Sequence, residues 1–256
     1  MSAAVGVPNT IRILGDRARG QRAAVRHISV PNLHHPIRIT GELSDLEMLA
    51  EARLSPIYRQ LPMILGAGSN LPIIDVGANI GTTATLFASM FKNANITAVE
   101  PFERNREVLE QNLAPYGSRA RVIGKAVTAT GGTAFLVNPE AANDNEYCGL
   151  RFDGEANEAG EAPTDGTAVE AMTLNELLET VGDPESIGVF KLDVEGGERE
   201  LASAGLVEVL KRTRCFVVET HDRYRPGATD AVRDAAASAG LRFIQQHQND
   251  YFFVRD

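Results

Sequence analysis

The sequence predicts an α/β protein with a doubly wound, mostly parallel sheet. From residue 72 onward, short apolar runs alternate with helical patterns, which is typical of strands that are buried on both faces. A turn with two glycines follows the first of these runs, and two strand patterns joined by a short turn end the chain. Because a parallel crossover needs about a dozen residues or more, the last two strands are expected to form an antiparallel pair.

The predicted elements follow the chain in a regular order. The strands of the sheet are expected at 72–76, 96–100, 121–127, 187–193, 215–220, 241–246 and 251–254. The helices are expected at 82–91, 103–113, 173–181, 197–210 and 229–239, and a further strand at 133–137 follows a Gly-Gly turn. Pro115 limits the second helix, the capping box Thr173-Leu174-Asn175-Glu176 opens the third, and Gly240 closes the last. The tight turn of the final hairpin is expected at Asn249-Asp250.

The chain divides into an appendage, residues 1–65, and a main domain, residues 66–256. The appendage holds a strand pattern at 36–39 and a helix pattern at 44–61, and we expect it to mediate homodimer contacts or to cover a cleft. Residues 138–168 are rich in Asn, Asp, Glu, Gly and Ala and lack apolar periodicity. A long loop of this kind often serves as a lid or a binding loop.

Composition restricts the class of protein. The net charge of −9 disfavours a nucleic acid partner, because an acidic surface repels the phosphate backbone. No segment approaches the roughly 18 apolar residues of a membrane span, and the N-terminal region lacks the apolar core of a signal peptide. Cys148 and Cys215 lie far apart and form no metal-binding pair, which fits a reducing compartment. We therefore expect a cytoplasmic protein that binds no nucleic acid.

The run Asp75-Val76-Gly77-Ala78-Asn79-Ile80-Gly81-Thr82 joins the first strand to its helix. Such a turn places backbone N–H groups and a helix N-terminus at the carboxyl end of the sheet, where open α/β folds bind ligands. Gly77 and Gly81 are expected to let the main chain approach the ligand closely. Glu100 ends the next strand, where a carboxylate can accept two hydrogen bonds from a ribose diol. The two features together predict a nucleoside site.

Two ligand classes fit this site, the dinucleotides and S-adenosylmethionine. The dinucleotide fingerprint G-x-G-x-x-G is absent, since the corresponding run reads G-A-N-I-G. S-adenosylmethionine has no pyrophosphate to cradle and presents an amino acid end instead. Asp75 and the region of Asn79 suit that zwitterion, so the residues favour the methyl donor.

Several segments together resemble the FkbM-type S-adenosylmethionine-dependent methyltransferases. They are D-V-G-A-N-I-G-T, V-E-P-F-E-R-N, K-L-D-V-E-G-G-E, V-V-E-T-H and I-R-I-T-G-E-L-S-D-L-E-M-L, and they span roughly residues 36–256. The resemblance implies a Rossmann-like sheet of strand order 3-2-1-4-5-7-6 with the last strand reversed. It also implies methylation of a hydroxyl oxygen on a sugar, a polyketide or a related small molecule.

The resemblance also implies which residues hold the donor. Glu100 would bind the ribose, Phe102 would pack on the adenine, and Lys125 and Ala126 would lie near the adenine edge. The full set of expected donor contacts is Asp75, Gly77, Asn79, Gly81, Thr82, Glu100, Pro101, Phe102, Lys125, Ala126 and Asp193.

Methyl transfer to an alcohol requires a group that takes its proton. Two clusters follow neighbouring strands, Asp193 with Glu195 and, after the next strand, Glu219 with His221 and Asp222. His221 is the preferred general base, because an unperturbed histidine pKa of about 6.5 suits proton transfer near neutrality. In a less favoured mechanism, Asp193, Glu219 and His221 hold a divalent cation such as Mg²⁺ that acidifies the hydroxyl.

Two other functions remain open at this point. An NAD-dependent oxidoreductase or epimerase can use a related sheet, but its Tyr-x-x-x-Lys pair is absent, and Tyr147 for example is followed four residues later by Arg151. A non-catalytic donor-binding protein would keep the fold and lack the chemistry. The acidic and imidazole groups after both strands argue against this last hypothesis only weakly.

Overall fold

The computed structural model describes residues 26–40, 43–137, 151–152 and 166–256. The described strands are β1 (Arg26–Ile28), β2 (Ile37–Ile39), β3 (Ile73–Val76), β4 (Ile96–Val99), β5 (Ala120–Ile123), β6 (Ala126–Val127), β7 (Gly132–Val137), β8 (Arg151–Phe152), β9 (Thr167–Met172), β10 (Ile187–Leu192), β11 (Thr213–Glu219), β12 (Arg242–His247) and β13 (Asp250–Val254). The described α-helices are α1 (Leu43–Leu54), α2 (Pro56–Leu65), α3 (Thr82–Met90), α4 (Glu103–Leu113), α5 (Leu174–Thr180), α6 (Glu198–Ser203), α7 (Leu206–Lys211) and α8 (Ala228–Ser238). None of these helices combines the length and the apolar character that crossing a membrane requires.

Seven strands form the central sheet, in the spatial order β5-β4-β3-β10-β11-β13-β12. Counted along the chain within this sheet, the order is 3-2-1-4-5-7-6. The first five of these strands run parallel to one another, and β13 pairs antiparallel with both β11 and β12. The predicted Rossmann-like α/β fold and its reversed last strand are therefore confirmed.

Successive residues of the parallel strands face opposite sides of the sheet, and both sides are buried. Ile74 and Phe190 belong to one hydrophobic cluster, whereas Ile73 and Val189 belong to the other. This arrangement explains why the strands appear in the sequence as continuous apolar runs and not as alternating ones. Cys215 lies wholly inside the second cluster and is a core thiol.

A second sheet, absent from the sequence prediction, has the strand order β6-β9-β7-β8. The strand predicted at 121–127 is divided, because its first part joins the central sheet as β5 and its last two residues join the second sheet as β6. β7 pairs antiparallel with β9 along five residues. A pairing between segments this far apart leaves no local pattern, since each strand alone reads only as extended chain.

The N-terminal helix pattern divides into two helices. Ser55 accepts a hydrogen bond from the backbone N–H of Ile57, and Pro56 occupies the first helical position of α2, so one helix ends here and another begins. α2 packs in the same cluster as the central sheet through Ile57, Tyr58 and Leu61. This packing brings the end of α1 to the edge where the parallel strands end.

Other boundaries also differ from the sequence prediction. The helix predicted at 197–210 is interrupted at Gly205, whose φ of 95° ends the regular helix and separates α6 from α7. The final hairpin turns at Gln248 and Asn249, one residue earlier than expected. The proposed lid at 138–168 lies outside the described residues, except for β8 and the start of β9, and Cys148 lies there too.

The carboxyl ends of β3 and β10 touch through their main chains. The backbone N–H of Asp193 donates to the carbonyl of Val76 over 3.0 Å. A Cβ atom on Gly77, which has a φ of 78°, would lie 1.7 Å from the carbonyl oxygen of Asp193. Because no side chain fits at that distance, only glycine allows the two strand ends to meet.

We predict that Gly77→Ala lowers the free energy of unfolding by about 3 kcal/mol or more, since it combines a backbone clash with a left-handed conformation. Gly66→Ala is the matched control, because Gly66 has a φ of 79° with nothing within 4 Å of the added Cβ. The control is expected to lose only about 1–2 kcal/mol. Urea unfolding of both variants measures the difference, and equal losses would contradict the close contact.

Candidate active site

A cleft of about 280 Å³ lies at the carboxyl ends of the central parallel strands. Most residues expected from the sequence line it, although they come from five different strand ends. These residues are Gly77, Asn79, Thr82, Glu100, Pro101, Lys125, Ala126, Asp193, Glu195, Glu219 and His221. Three expected donor contacts, Asp75, Gly81 and Phe102, are absent from the lining.

Glu100 is held between two loops at one end of the cleft. Its Oε2 accepts from the backbone N–H of Asn79 and its Oε1 from that of Phe102, each over 2.9 Å. Only 6% of Glu100 is exposed. Burial raises the pKa of this carboxyl to about 7, although the two hydrogen bonds oppose the shift. Each carboxylate oxygen keeps a further lone pair, so the group can still accept from a ligand in the cleft.

Asn79, in the turn after β3, is fixed in a conformation that few residues adopt. Its φ is 50°, and its Oδ1 accepts from the backbone N–H of Ile80 over 2.7 Å. Asparagine tolerates this left-handed region because its short side chain bonds locally. The turn therefore presents its backbone to Glu100 on one side and to the cleft on the other.

Asp75 lies beneath the cleft and has no exposed surface. The Nζ of Lys191 lies 3.6 Å from its Oδ1 and donates to the Oδ2 of Asp193 over 3.1 Å. Burial raises the pKa of Asp75, and the charge of Lys191 opposes that rise. Burial alone would lower the pKa of Lys191, but the charges of Asp193 and Asp75 outweigh it and raise this pKa well above its usual value. Asp75 thus contacts a buried lysine that itself lines the cleft.

Gly81 and Phe102 have structural positions instead of cleft positions. A Cβ on Gly81 would lie 2.6 Å from Cδ1 of Leu109, so this glycine lets the start of α3 pack against α4. Phe102 precedes α4 and contributes its backbone N–H to Glu100. Lys125, which does line the cleft, forms an ion pair of 3.1 Å with the exposed carboxylate of Glu170.

At the other end of the cleft, His221 is surrounded by glutamates. Its Nδ1 lies 2.8 Å from Oε1 of Glu198, and its Nε2 lies 3.2 Å from Oε2 of Glu195 and 3.7 Å from Oε1 of Glu219. Its side chain is 3% exposed, and the side chain of Glu198 is fully buried. The four side chains are called the His221 cluster below.

The pKa values of Glu195, Glu219 and His221 are all raised. Burial and the charge of Asp193 raise the pKa of both Glu195 and Glu219. Burial lowers the pKa of His221, but the hydrogen bond and charge of Glu198 outweigh it and raise the pKa to about 9. At this pKa, His221 already holds at neutral pH the proton that a general base would have to accept. This geometry therefore disfavours the role of free base that the sequence suggested for His221.

The backbone after β10 has an unusual conformation at Glu195, whose side chain contacts His221. Glu195 has a φ of 52° and Gly196 a φ of 112°, so two successive residues occupy regions that are costly for side-chain-bearing residues. The Oε1 of Glu198 accepts from the N–H of Gly196 over 3.1 Å and supports the turn. Strained residues of this kind commonly occur at functional sites.

Several cleft residues were not predicted from the sequence. Lys191 is a charged residue in an otherwise apolar strand, and this exception could have indicated a site residue. Glu51, Tyr58 and Asp250 reach the cleft from α1, α2 and β13, and no local pattern marks them. Burial raises the pKa of Asp250 to about 7. Asp222, which the sequence analysis grouped with His221, instead accepts from the backbone N–H groups of Gly227 and Thr229 at the start of α8.

Comparison with known proteins identifies the family. The family model described as methyltransferase FkbM domain matches residues 75–243. In an alignment of 189 positions that covers 64% of the chain, it is 28% identical to the AMB antimetabolite synthetase AmbE of Pseudomonas aeruginosa and spans 9% of that protein. It is 24% identical to the 2-O-methyltransferase NoeI of Sinorhizobium fredii, over 65% of the chain and 70% of the relative.

A solved structure that the chain resembles is the magnesium protoporphyrin IX methyltransferase of Synechocystis PCC 6803, with a TM-score of 0.47 and 13% identity over 83% of each chain. Because the FkbM domain model matches well over half of its residues, the chain belongs to the FkbM methyltransferase family.

Proposed function

We propose that the protein transfers the methyl group of S-adenosylmethionine to a hydroxyl oxygen of a small molecule, such as a sugar or a polyketide-like compound. The observation that carries this proposal is that Glu100 lines the same cleft as Glu195, Glu219 and His221 of the His221 cluster. A nucleoside held at one end would direct its reactive group to the acid cluster at the other. The name of NoeI, a 2-O-methyltransferase, supports oxygen as the acceptor atom.

The donor site is proposed to bind the two ends of S-adenosylmethionine separately. The ribose diol would donate to Glu100, whose carboxylate is held in place by two backbone N–H groups. Lys191 lines the cleft and offers a positive charge to the carboxylate of the amino acid end. Pro101, Asn105 and Ala126 would flank the adenine, since they line the cleft near Glu100.

The sulfonium is already an activated electrophile, so the protein mainly has to align the acceptor and remove its proton. Glu195 is the proposed proton acceptor, because it lines the cleft and its strained backbone turns it toward His221. His221 would hold Glu195 in position, since its own ring is fixed by Glu198 on the opposite side. These roles require no movement of the buried Glu198.

We predict that Glu100→Gln weakens S-adenosylmethionine binding by about 1–3 kcal/mol, because an amide cannot accept both backbone hydrogen bonds and the diol. Isothermal titration calorimetry measures the loss. The control is Glu179→Gln, which removes a negative charge from the exposed side of α5. Equal affinity in the Glu100 variant and the wild type would remove Glu100 from the donor site.

Donor binding should also depend on pH through Glu100. Burial raises the pKa of Glu100 to about 7, so the carboxylate that accepts the diol is lost as the pH falls below that value. If only the ionised form binds, the affinity decreases by up to about tenfold for each pH unit below the pKa. Calorimetry between about pH 8.5 and about pH 6 tests this dependence. In the Glu100→Gln variant, donor affinity should change less with pH than in the wild type. If the two show the same pH dependence, another group causes it.

Turnover tests the proposed proton acceptor. We predict that Glu195→Gln leaves donor affinity within about twofold and lowers turnover by about 10²–10⁴-fold, which is the usual contribution of general base catalysis. The assay measures S-adenosylhomocysteine release with a panel of monosaccharides and hydroxylated polyketide-like compounds, and Glu179→Gln is again the control. Unchanged turnover would exclude Glu195. If the wild type transfers methyl to no member of the panel, the acceptor proposal fails.

A further inference from the structure

One nitrogen of the buried His221 ring is fixed and the other is available. Nδ1 lies 2.8 Å from Oε1 of the fully buried Glu198, which favours the tautomer with its proton on Nδ1. Nε2 faces the carboxylates of Glu195 and Glu219. The nearer oxygen, Oε2 of Glu195, has no hydrogen-bond partner among the described residues, so its 3.2 Å contact with Nε2 is not a hydrogen bond. In the neutral ring, Nε2 would therefore carry the lone pair that faces these two carboxylates.

Two carboxylates converge on the same point as Nε2. Ligand atoms of Asp193, Glu219 and His221 all lie within 4.8 Å of one another. Asp193 directs its Oδ2 to Lys191, whereas its Oδ1 is buried and has no hydrogen-bond partner within the described part of the chain. Each of the three side chains thus offers one free donor atom to a common position.

Negative charge is concentrated at this position. Lys191 forms ion pairs with Asp75 and Asp193, and among the described residues no ion pair joins it to Glu219 or Glu195. Unpaired carboxylates in a partly buried site are costly, because the surroundings screen their repulsion less than water does. We propose that Asp193, Glu219 and His221 bind a divalent first-row transition metal ion. Two carboxylates and one imidazole form a ligand set that such ions accept.

The distances are compatible with this coordination. Metal bonds of about 2.1 Å bring neighbouring ligand atoms to about 3–4 Å from one another. The separation of 3.7 Å between Nε2 of His221 and Oε1 of Glu219 already lies in that range. The ligand atom of Asp193 lies within 4.8 Å of the other two and would have to approach them to complete the set. Glu198 would act as the outer carboxylate that orients the histidine ligand, a common partner in metal sites.

This site does not depend on the proposed methyl transfer, because metal binding is measured without donor or acceptor. If both proposals hold, the ion lies beside Glu195 and would acidify the acceptor hydroxyl as a Lewis acid. If the protein binds no metal ion, the proposed role of Glu195 and the proposed donor site still stand. The two proposals can therefore fail separately.

The test is a titration of the full chain with Mn²⁺ and no other ligand. Electron paramagnetic resonance measures the concentration of free Mn²⁺ at each step. We expect one site in the wild type. Glu219→Gln and His221→Gln should weaken Mn²⁺ binding by about tenfold or more, and Glu198→Gln by about 10–100-fold through loss of histidine orientation. Glu179→Gln should bind Mn²⁺ like the wild type. Absence of binding to the wild type at about 1 mM Mn²⁺, or equal binding in all variants, would overturn the proposal.

Substitutions in a buried cluster can unfold the chain, so the wild-type protein provides a second test. Substoichiometric Mn²⁺ should broaden the ring signals of one of the five histidines before the others in proton nuclear magnetic resonance spectra. Selective broadening of a single buried histidine supports the site, since His221 is buried and is one of the three proposed ligands. Equal broadening of all five, or none at all, contradicts it.

Discussion

The turn after β3 and the turn after β10 meet through their main chains, at a distance that leaves no room for a Cβ on Gly77. This contact sets the separation of the two halves of the cleft. On one side, the β3 turn continues through Asn79 to Glu100, and on the other, the β10 end continues through Asp193 to Glu195 and the His221 cluster. A larger residue at position 77 would separate the donor half from the acid half. The transfer chemistry that we propose depends on their being adjacent.

Buried charge is the second constraint on this region. Lys191 lies between Asp75 below and Asp193 above, so the floor of the cleft is an ion pair and not an apolar surface. Removing one partner of such a group would leave an uncompensated buried charge, which is far costlier than the net value of the pair. The His221 cluster continues the same pattern, with three carboxylates around one imidazole. An excess of negative charge in the cleft suits the sulfonium of the donor as well as a metal ion.

Much of the fold was predictable because its determinants are local. Each of the patterns that predict the sheet lies within a short segment of the chain. These patterns are the apolar runs, the helix periodicity and the short last connection. The second sheet was not predictable, since β7 and β9 recognise each other across a long intervening segment. The break between α1 and α2 was readable in principle, because Ser55-Pro56 is a common start of a helix. Gly81 has a packing role that its spacing did not reveal, because a Cβ at this position would collide with Leu109.

Within the site, strand ends were the useful signal. Glu100, Asp193, Glu195, Glu219 and His221 each lie at the end of a predicted strand or just after it, and parallel topology brings those ends to one edge. Glu51, Tyr58 and Asp250 enter the cleft from elements whose placement depends on tertiary packing, which a local pattern does not encode. The raised pKa of His221 was equally unpredictable, because it depends on contacts with Glu198 and Glu195, which follow a different strand.

The most direct measurement is a crystal structure of the chain with S-adenosylhomocysteine. We expect the ribose hydroxyls of the ligand to lie within hydrogen-bond distance of the Glu100 carboxylate. Its sulfur atom should be directed toward the His221 cluster. A nucleoside bound elsewhere, or a sulfur atom directed away from that cluster, would contradict the claim that one cleft holds the donor and the acid groups together.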